Sequence, residues 1–338
     1  MKRIIYRILP TILFIGIGLV LFSGLSDIVR KKSAGTADTI NSFYEVEEDT
    51  LDALCLGSSL AYSSFQPNVL WNEYGVTSYA LSSMKQSLPT SYYLLQEALK
   101  YQNPRFLFLE SYYFFCDRKY YDEPALSIAM DGMRLDEVKY RMIQDMLEGC
   151  SWKEKLPSYV PFLKYHDRWN ELVNSDFHSD LYLKGSIFSS KVYPMEPHDL
   201  PSEGCEIPEV ALAYFEKIVD LCDKHGIQLI VYSVPYGYDD NYELYEYTKK
   251  ITVTVEKYLK EKEIPFLSFW DPDVAGIDCA SDYRDFAHYN IFGAMKVTRV
   301  LGDYLRDKYD LTDHRQDSDY ESWNQDYQTF EEKLNSVK

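Results

Sequence analysis

Residues 51–59 read Leu-Asp-Ala-Leu-Cys-Leu-Gly-Ser-Ser. A short apolar run ended by glycine predicts a buried strand that leads into a turn. Ser59 would then stand at the carboxyl end of a strand, where open α/β sheets gather their functional side chains. Four more runs of the same kind follow, at Thr77–Leu81, Arg105–Leu109, Gln228–Val234 and Ile264–Phe269. Helical stretches separate them. Pro89 opens SYYLLQEALKY, which Asn103-Pro104 breaks. Pro208 opens PEVALAYFEKIVDLCDKH, which Gly226 stops. Further helices are predicted over Asn241–Lys262 and Ile291–Tyr309. Alternation of this kind predicts an α/β fold with a five-stranded parallel sheet covered on both faces.

The amino-terminal side differs from this pattern. Ile8–Ser26 is a run of 19 uncharged, mostly apolar residues. As a helix it would reach about 28 Å, close to the hydrocarbon thickness of a bilayer. Lys2, Arg3 and Arg7 precede it, and Arg30, Lys31 and Lys32 follow it. The run is long for a cleaved signal peptide, and no clear small-residue cleavage site follows. Residues 1–32 are therefore expected to be a transmembrane anchor. Its amino terminus is expected in the cytoplasm and the body outside it. Residues 33–45 read as a polar stalk, 46–310 as the α/β domain, and 311–338 as a polar tail with Trp323, Tyr327 and Phe330 as docking points.

Residues 118–205 interrupt the sheet pattern and read as a mostly helical insertion. Net charge is −18, and the body beyond the basic anchor is more acidic still. Such a surface repels phosphate backbones, so nucleic acid is not an expected partner. The six cysteines form neither a CxxC nor a zinc-like cluster, and no HExxH is present. No metal or other cofactor is expected. Cys55 and Cys222 lie inside apolar runs and read as small buried hydrophobes. The 31 tyrosines suit a half-wet cleft in which rings pack on sugars, although any single one is more simply a surface or core residue.

A serine hydroxyl needs a base to take its proton and a third group to orient that base. His288 combines a loop after the fifth strand with a carboxylate three residues earlier, in Asp285-Phe286-Ala287-His288. Either motif alone occurs by chance, the first as a simple strand-to-helix cap. At opposite ends of one five-strand pattern, they nominate Ser59, His288 and Asp285 as a catalytic triad.

LCLGSSLAYSSFQPNVLW resembles the first sequence block of the SGNH (GDSL-type) hydrolase superfamily, and DFAHYNIFGAMKVTRVLGDYL resembles the last, D-x-x-H-x-N-x-x-G. The likeness is closest to the membrane-anchored branch that includes the D-alanyl-lipoteichoic acid and alginate O-acetylation proteins. It covers roughly residues 50–115 and 205–310. It implies a flavodoxin-like SGNH fold, with Ser59 as nucleophile, His288 as base and Asp285 as acid. It also implies an oxyanion hole from the backbone N–H groups of Ser59 and Ser82, with Ser82 standing where glycine is usual. The asparagine donor expected after the third strand is replaced by Glu110-Ser111. Glu110, His166, Arg168, Trp169 and Asn290 are the candidate substrate contacts.

The function expected from the resemblance is acyl transfer or ester hydrolysis on a cell-envelope glycan or polymer. In that branch a membrane-bound O-acyltransferase is the usual partner. The competing expectation is a non-catalytic envelope protein that binds glycan or a partner and retains the fold. For the insertion, one reading makes KYHDRW a wall or lid of the cleft. The other makes it a packing motif.

Overall fold

All five apolar runs become strands: β1 (Ala53–Leu56), β2 (Ser78–Ala80), β3 (Phe106–Glu110), β4 (Gln228–Ser233) and β5 (Phe266–Ser268). They form one parallel sheet in the order 2-1-3-4-5. The computed structural model describes residues 2–30, 37–173, 176–177, 180–192, 205–237 and 242–337.

Alternate side chains along each strand enter two separate cores. Leu54, Leu56, Leu107, Leu109, Leu229 and Val231 face one side. There they meet α5 (Leu88–Ala98), α10 (Glu209–His225) and α11 (Tyr242–Glu261). Ala53, Cys55, Phe106, Phe108, Ile230 and Tyr232 face the other. They pack on α3 (Ser59–Ser64), α4 (Pro67–Tyr74) and α12 (Ile291–Lys308). The three central strands are buried on both faces, so their sequences read as continuous apolar runs rather than alternating ones. Ser87 caps the start of α5, and Gly226 ends α10 in the left-handed conformation.

The order reverses at β1, which has β2 on one side and β3 on the other. In doubly wound sheets the crevice opens at this switch point, outside the carboxyl ends of the strands. Ser59 lies there as the first residue of α3.

α1 (Lys2–Val29) contains a stretch, Pro10–Val29, long and apolar enough to cross a membrane. Ile12, Leu13 and Phe14 are exposed on it. Its last turn is different, because Val29 and Arg30 are buried in the body. Arg30 donates to the Asp27 carboxylate and the Asp131 carbonyl.

The expected stalk is corrected where it is described. Residues 37–45 form α2 (Ala37–Ser42) and a 3-10 turn (Phe43–Glu45) folded on to the body. Ile40 and Phe43 are buried, and the Phe43 ring lies 5.5 Å from that of Tyr79. The described part of the insertion contains four helices, α6 (Glu123–Gly132), α7 (Glu137–Met146), α8 (Trp152–Tyr159) and the single turn α9 (Phe162–Tyr165), while residues 184–192 have no regular structure. The expected tail contains α13 (Glu321–Asn335), which buries Trp323, Phe330 and Leu334. Trp323 lies 5.7 Å from Trp71 of α4.

These contacts set where the body begins. A chain starting at residue 33 loses the buried Val29, whereas one starting at residue 27 keeps it. Burying a valine contributes about 2 kcal/mol. At about 2–4 °C per kcal/mol for a large domain, the longer body should melt roughly 4–8 °C higher. Both should be soluble without the span. Equal melting temperatures by calorimetry would mean that the last turn of α1 adds nothing to the body.

Candidate active site

The turn after β1 is built by two residues that precede Ser59. Gly57 has φ +151°, and a Cβ there would lie 2.7 Å from Glu110 Cβ and 2.9 Å from Ala61 Cβ. Only glycine lets the ends of β1 and β3 approach this closely. Ser58 is the N-cap of α3: its Oγ accepts from Leu60 N–H and donates to Glu110 Oε2 at 2.9 Å. Ser58 is thereby committed to structure. The half-buried Ser59 is left with its side chain in the crevice.

The second loop follows β5. Asp285 Oδ1 accepts from the N–H groups of Ala287 and His288, both at 3.0 Å, and Arg284 N–H donates to His288 O at 2.8 Å. A bridge between Tyr283 and Tyr289 closes the base of the loop. Gly237 N–H donates to Phe286 O at 2.6 Å, which ties the loop to the end of β4. The same Asp285 Oδ1 lies 2.7 Å from His288 Nδ1, and His288 Nε2 lies 2.8 Å from Ser59 Oγ. Residues 229 positions apart thus form one continuous hydrogen-bonded relay. In this geometry an imidazole can accept the serine proton while a carboxylate fixes its orientation.

Burial opposes ionisation of Asp285. The hydrogen bond and charge of His288, the Ala287 N–H and the Arg284 guanidinium outweigh it and hold the carboxyl well below the usual carboxylate range. Asp285 is therefore anionic throughout the neutral range.

Two further residues border the relay. Tyr62 lies one turn along α3 from Ser59, on the same face of the helix. Burial raises its hydroxyl above the ordinary tyrosine value, against the nearby Arg284 charge. Arg284 donates from Nε to Asp285 Oδ2 at 3.0 Å. Sequence spacing contained a signal for each. Tyr62 is three residues from Ser59, on the same helical face, and Arg284 adjoins Asp285.

The candidate substrate contacts fare differently. Asn290 is buried, and its amide is occupied: Oδ1 caps α12 at Phe292 and Gly293 N–H, while Nδ2 donates to Lys191 O and Ser281 O. It positions the helix after the loop and has no atom left for a substrate. His166 and Arg168 lie at the junction with α1 instead of the crevice, and the neighbouring Trp169 is exposed. Arg168 donates to Val29 O at 2.7 Å and to the Asp176 carboxylate at 3.2 Å. His166 is within reach of Leu163 O, and its ring lies 6.0 Å from that of Phe162. Within KYHDRW, Lys164 and Tyr165 bond to Asp131 and Arg168 bonds to Val29 O, so these three residues pack the segment on the body. Another part of the insertion borders the nucleophile helix and α12: Ile187 N–H donates to Tyr62 O, and Ser189 O accepts from Ile291 N–H. These pairings join residues far apart in the chain, so no local pattern announces them.

Glu110 is buried beneath the turn and does not face the crevice. Its carboxylate accepts from Ser58 Oγ and, at 2.6 Å, from Tyr112 N–H. Burial pushes its pKa up from 4.5 to about 7, against these bonds. Between those values the folded chain holds a proton that the unfolded chain releases. Stability from this group is therefore full below pH 4.5 and falls as pH rises to about 7. The loss amounts to about 3 kcal/mol. Glu110→Gln cannot ionise, so its unfolding free energy relative to wild type should rise between pH 5 and pH 8. Parallel pH profiles from urea titrations would exclude this role.

Ser82 follows β2, and its hydroxyl donates to Cys55 O at 3.2 Å, which holds its loop against β1. Among the described residues, no group of three or more His, Cys, Asp or Glu is placed to hold a metal ion. The chain matches no family model and no curated protein.

Proposed function

We propose that this protein is a serine-dependent acyl-transfer or ester-hydrolysing enzyme of the SGNH type, with Ser59, His288 and Asp285 as its triad. The observation that carries this reading is the relay of 2.7 and 2.8 Å from Asp285 through His288 to Ser59 Oγ. The 2-1-3-4-5 strand order, shared with flavodoxin-like folds, and the nucleophile at its switch point also support it.

His288 Nε2 takes the Ser59 proton as Oγ attacks the acyl carbonyl. The backbone N–H of Ser59, an orphan donor at the start of α3, and that of Ser82 stabilise the resulting oxyanion. The tetrahedral intermediate collapses, and the proton on His288 passes to the leaving oxygen. A sugar hydroxyl or water then gives its proton to His288, attacks acyl-Ser59 and releases the serine. The acceptor is a cell-envelope glycan or polymer, and the acyl group arrives from a membrane-bound O-acyltransferase. The chain crosses the membrane once, amino terminus in the cytoplasm and body outside.

Labelling with a fluorophosphonate tests the reading. One adduct per chain on Ser59 is expected, absent from Ser59→Ala. A folded wild-type chain that takes no label would favour the non-catalytic alternative, which the missing asparagine donor after β3 keeps in view.

A further inference from the structure

The apolar run of α1 ends at Ser26, and Asp27 is the first charge beyond it. Phe22 lies four residues earlier, about 6 Å below that boundary at the helical rise. Yet the Phe22 ring is 5.1 Å from Phe162 of α9. If α1 crosses a membrane, this contact sets α9 at the depth where interfacial helices bury their apolar faces, about 5–10 Å into the headgroup and acyl boundary.

The residues around this contact suit that depth. Leu163 of α9 is 45% exposed and Trp169 is 47% exposed. Arg168, next to Trp169, is tied to the end of α1 through Val29 O. Leu135 is 62% exposed on the rim of a cleft of about 460 Å³ between the insertion and α1. The same cleft is lined by the exposed Arg134 beside the buried Arg30 and Lys139, with Asp27 and Asp131 among them. Tryptophan favours the membrane interface, and cations favour the phosphate layer above it. An apolar ring with an exposed arginine at its rim, continuous with a spanning helix, has a lipid bilayer as its complement.

We propose that this ring is a bilayer-seating face: α9 and Trp169 rest in the interfacial layer of the membrane that α1 crosses, with the exposed Arg134 at headgroup level. The proposal rests on α1 as a span and is independent of the triad. Seating at a second point holds the body at one tilt to the bilayer, where a single helix would let it swing.

The test uses the full chain reconstituted into phosphatidylcholine vesicles, with and without brominated acyl chains. Trp71, Trp270 and Trp323 are buried in the body. Brominated lipid should quench a component of tryptophan emission that Trp169→Phe removes. Leu163→Trp in the Trp169→Phe background should restore it. Both positions are exposed, so neither change threatens folding. Equal quenching of wild type and Trp169→Phe, with none gained at Leu163→Trp, would overturn the seating. So would an absence of quenching in a chain that resists alkaline carbonate extraction, which is the outcome if a protein partner covers the ring. Release of the chain by carbonate would overturn the span, and the seating with it.

Discussion

Replacing Ser59 by alanine should lower turnover of an activated ester by about 10⁴-fold or more, with the melting temperature nearly unchanged. Removal of the nucleophile from a triad costs factors of this order, because the remaining donors and binding contacts supply only the residual rate. The change deletes one hydroxyl from a half-buried side chain and breaks a single bond, to His288 Nε2. Its neighbour is the natural control. Ser58 caps α3 and donates to the buried Glu110, so Ser58→Ala should cost about 1 kcal/mol of stability while the nucleophile remains. Ester turnover and melting temperature, measured for both variants, separate the roles. If Ser58→Ala loses the activity and Ser59→Ala retains it, the nucleophile has been assigned to the wrong serine.

The sheet was legible because its strands lie in the middle of the molecule. Leu54 to Leu56, Phe106 to Leu109 and Leu229 to Val231 are buried on both faces. Burial of that kind leaves an unbroken apolar run between Gly and Pro punctuation. The edges were less sharp. β2 has three residues, and β5 is half-buried along its length. Residues 37–45 carry too few apolar residues to announce a folded segment. Ile40 and Phe43 are three apart on one helical face, and the partner that buries them is supplied by the fold. α13 carried a clearer signal, with Trp323, Tyr327, Phe330 and Leu334 at helical spacing. In the site, Ser59, Asp285 and His288 were legible because each sits in a short local motif. His166 and Arg168 misled by composition, since aromatic and basic groups suited to sugars also suit a helix junction. Ile187 borders α3 and Ser189 borders α12 through backbone bonds that carry no side-chain signature.

The second large effect is expected at Asp285. Asp285→Asn should reduce turnover by on the order of 10³–10⁴, with the loop still folded. The bonding at this carboxylate shows why an isosteric change is so costly. Oδ1 accepts from three donors, His288 Nδ1 and the N–H groups of Ala287 and His288. Oδ2 accepts from Arg284 Nε. An asparagine that keeps its oxygen toward the loop turns its NH₂ on to Arg284, donor against donor. One that turns the other way sets its NH₂ against the imidazole and both loop N–H groups, which also selects the wrong imidazole tautomer. In either orientation the negative charge that would stabilise the imidazolium is gone. The loop should persist, because the Tyr283–Tyr289 bridge and the Arg284 N–H to His288 O bond do not involve the carboxylate. Arg284→Gln in the Asp285→Asn background separates the two costs, since it replaces the opposing guanidinium by a group that can also accept. It should recover stability lost to the donor clash and leave turnover low, because the charge is still missing. Turnover of Asp285→Asn within tenfold of wild type would remove Asp285 from the relay and leave His288 oriented by its backbone alone.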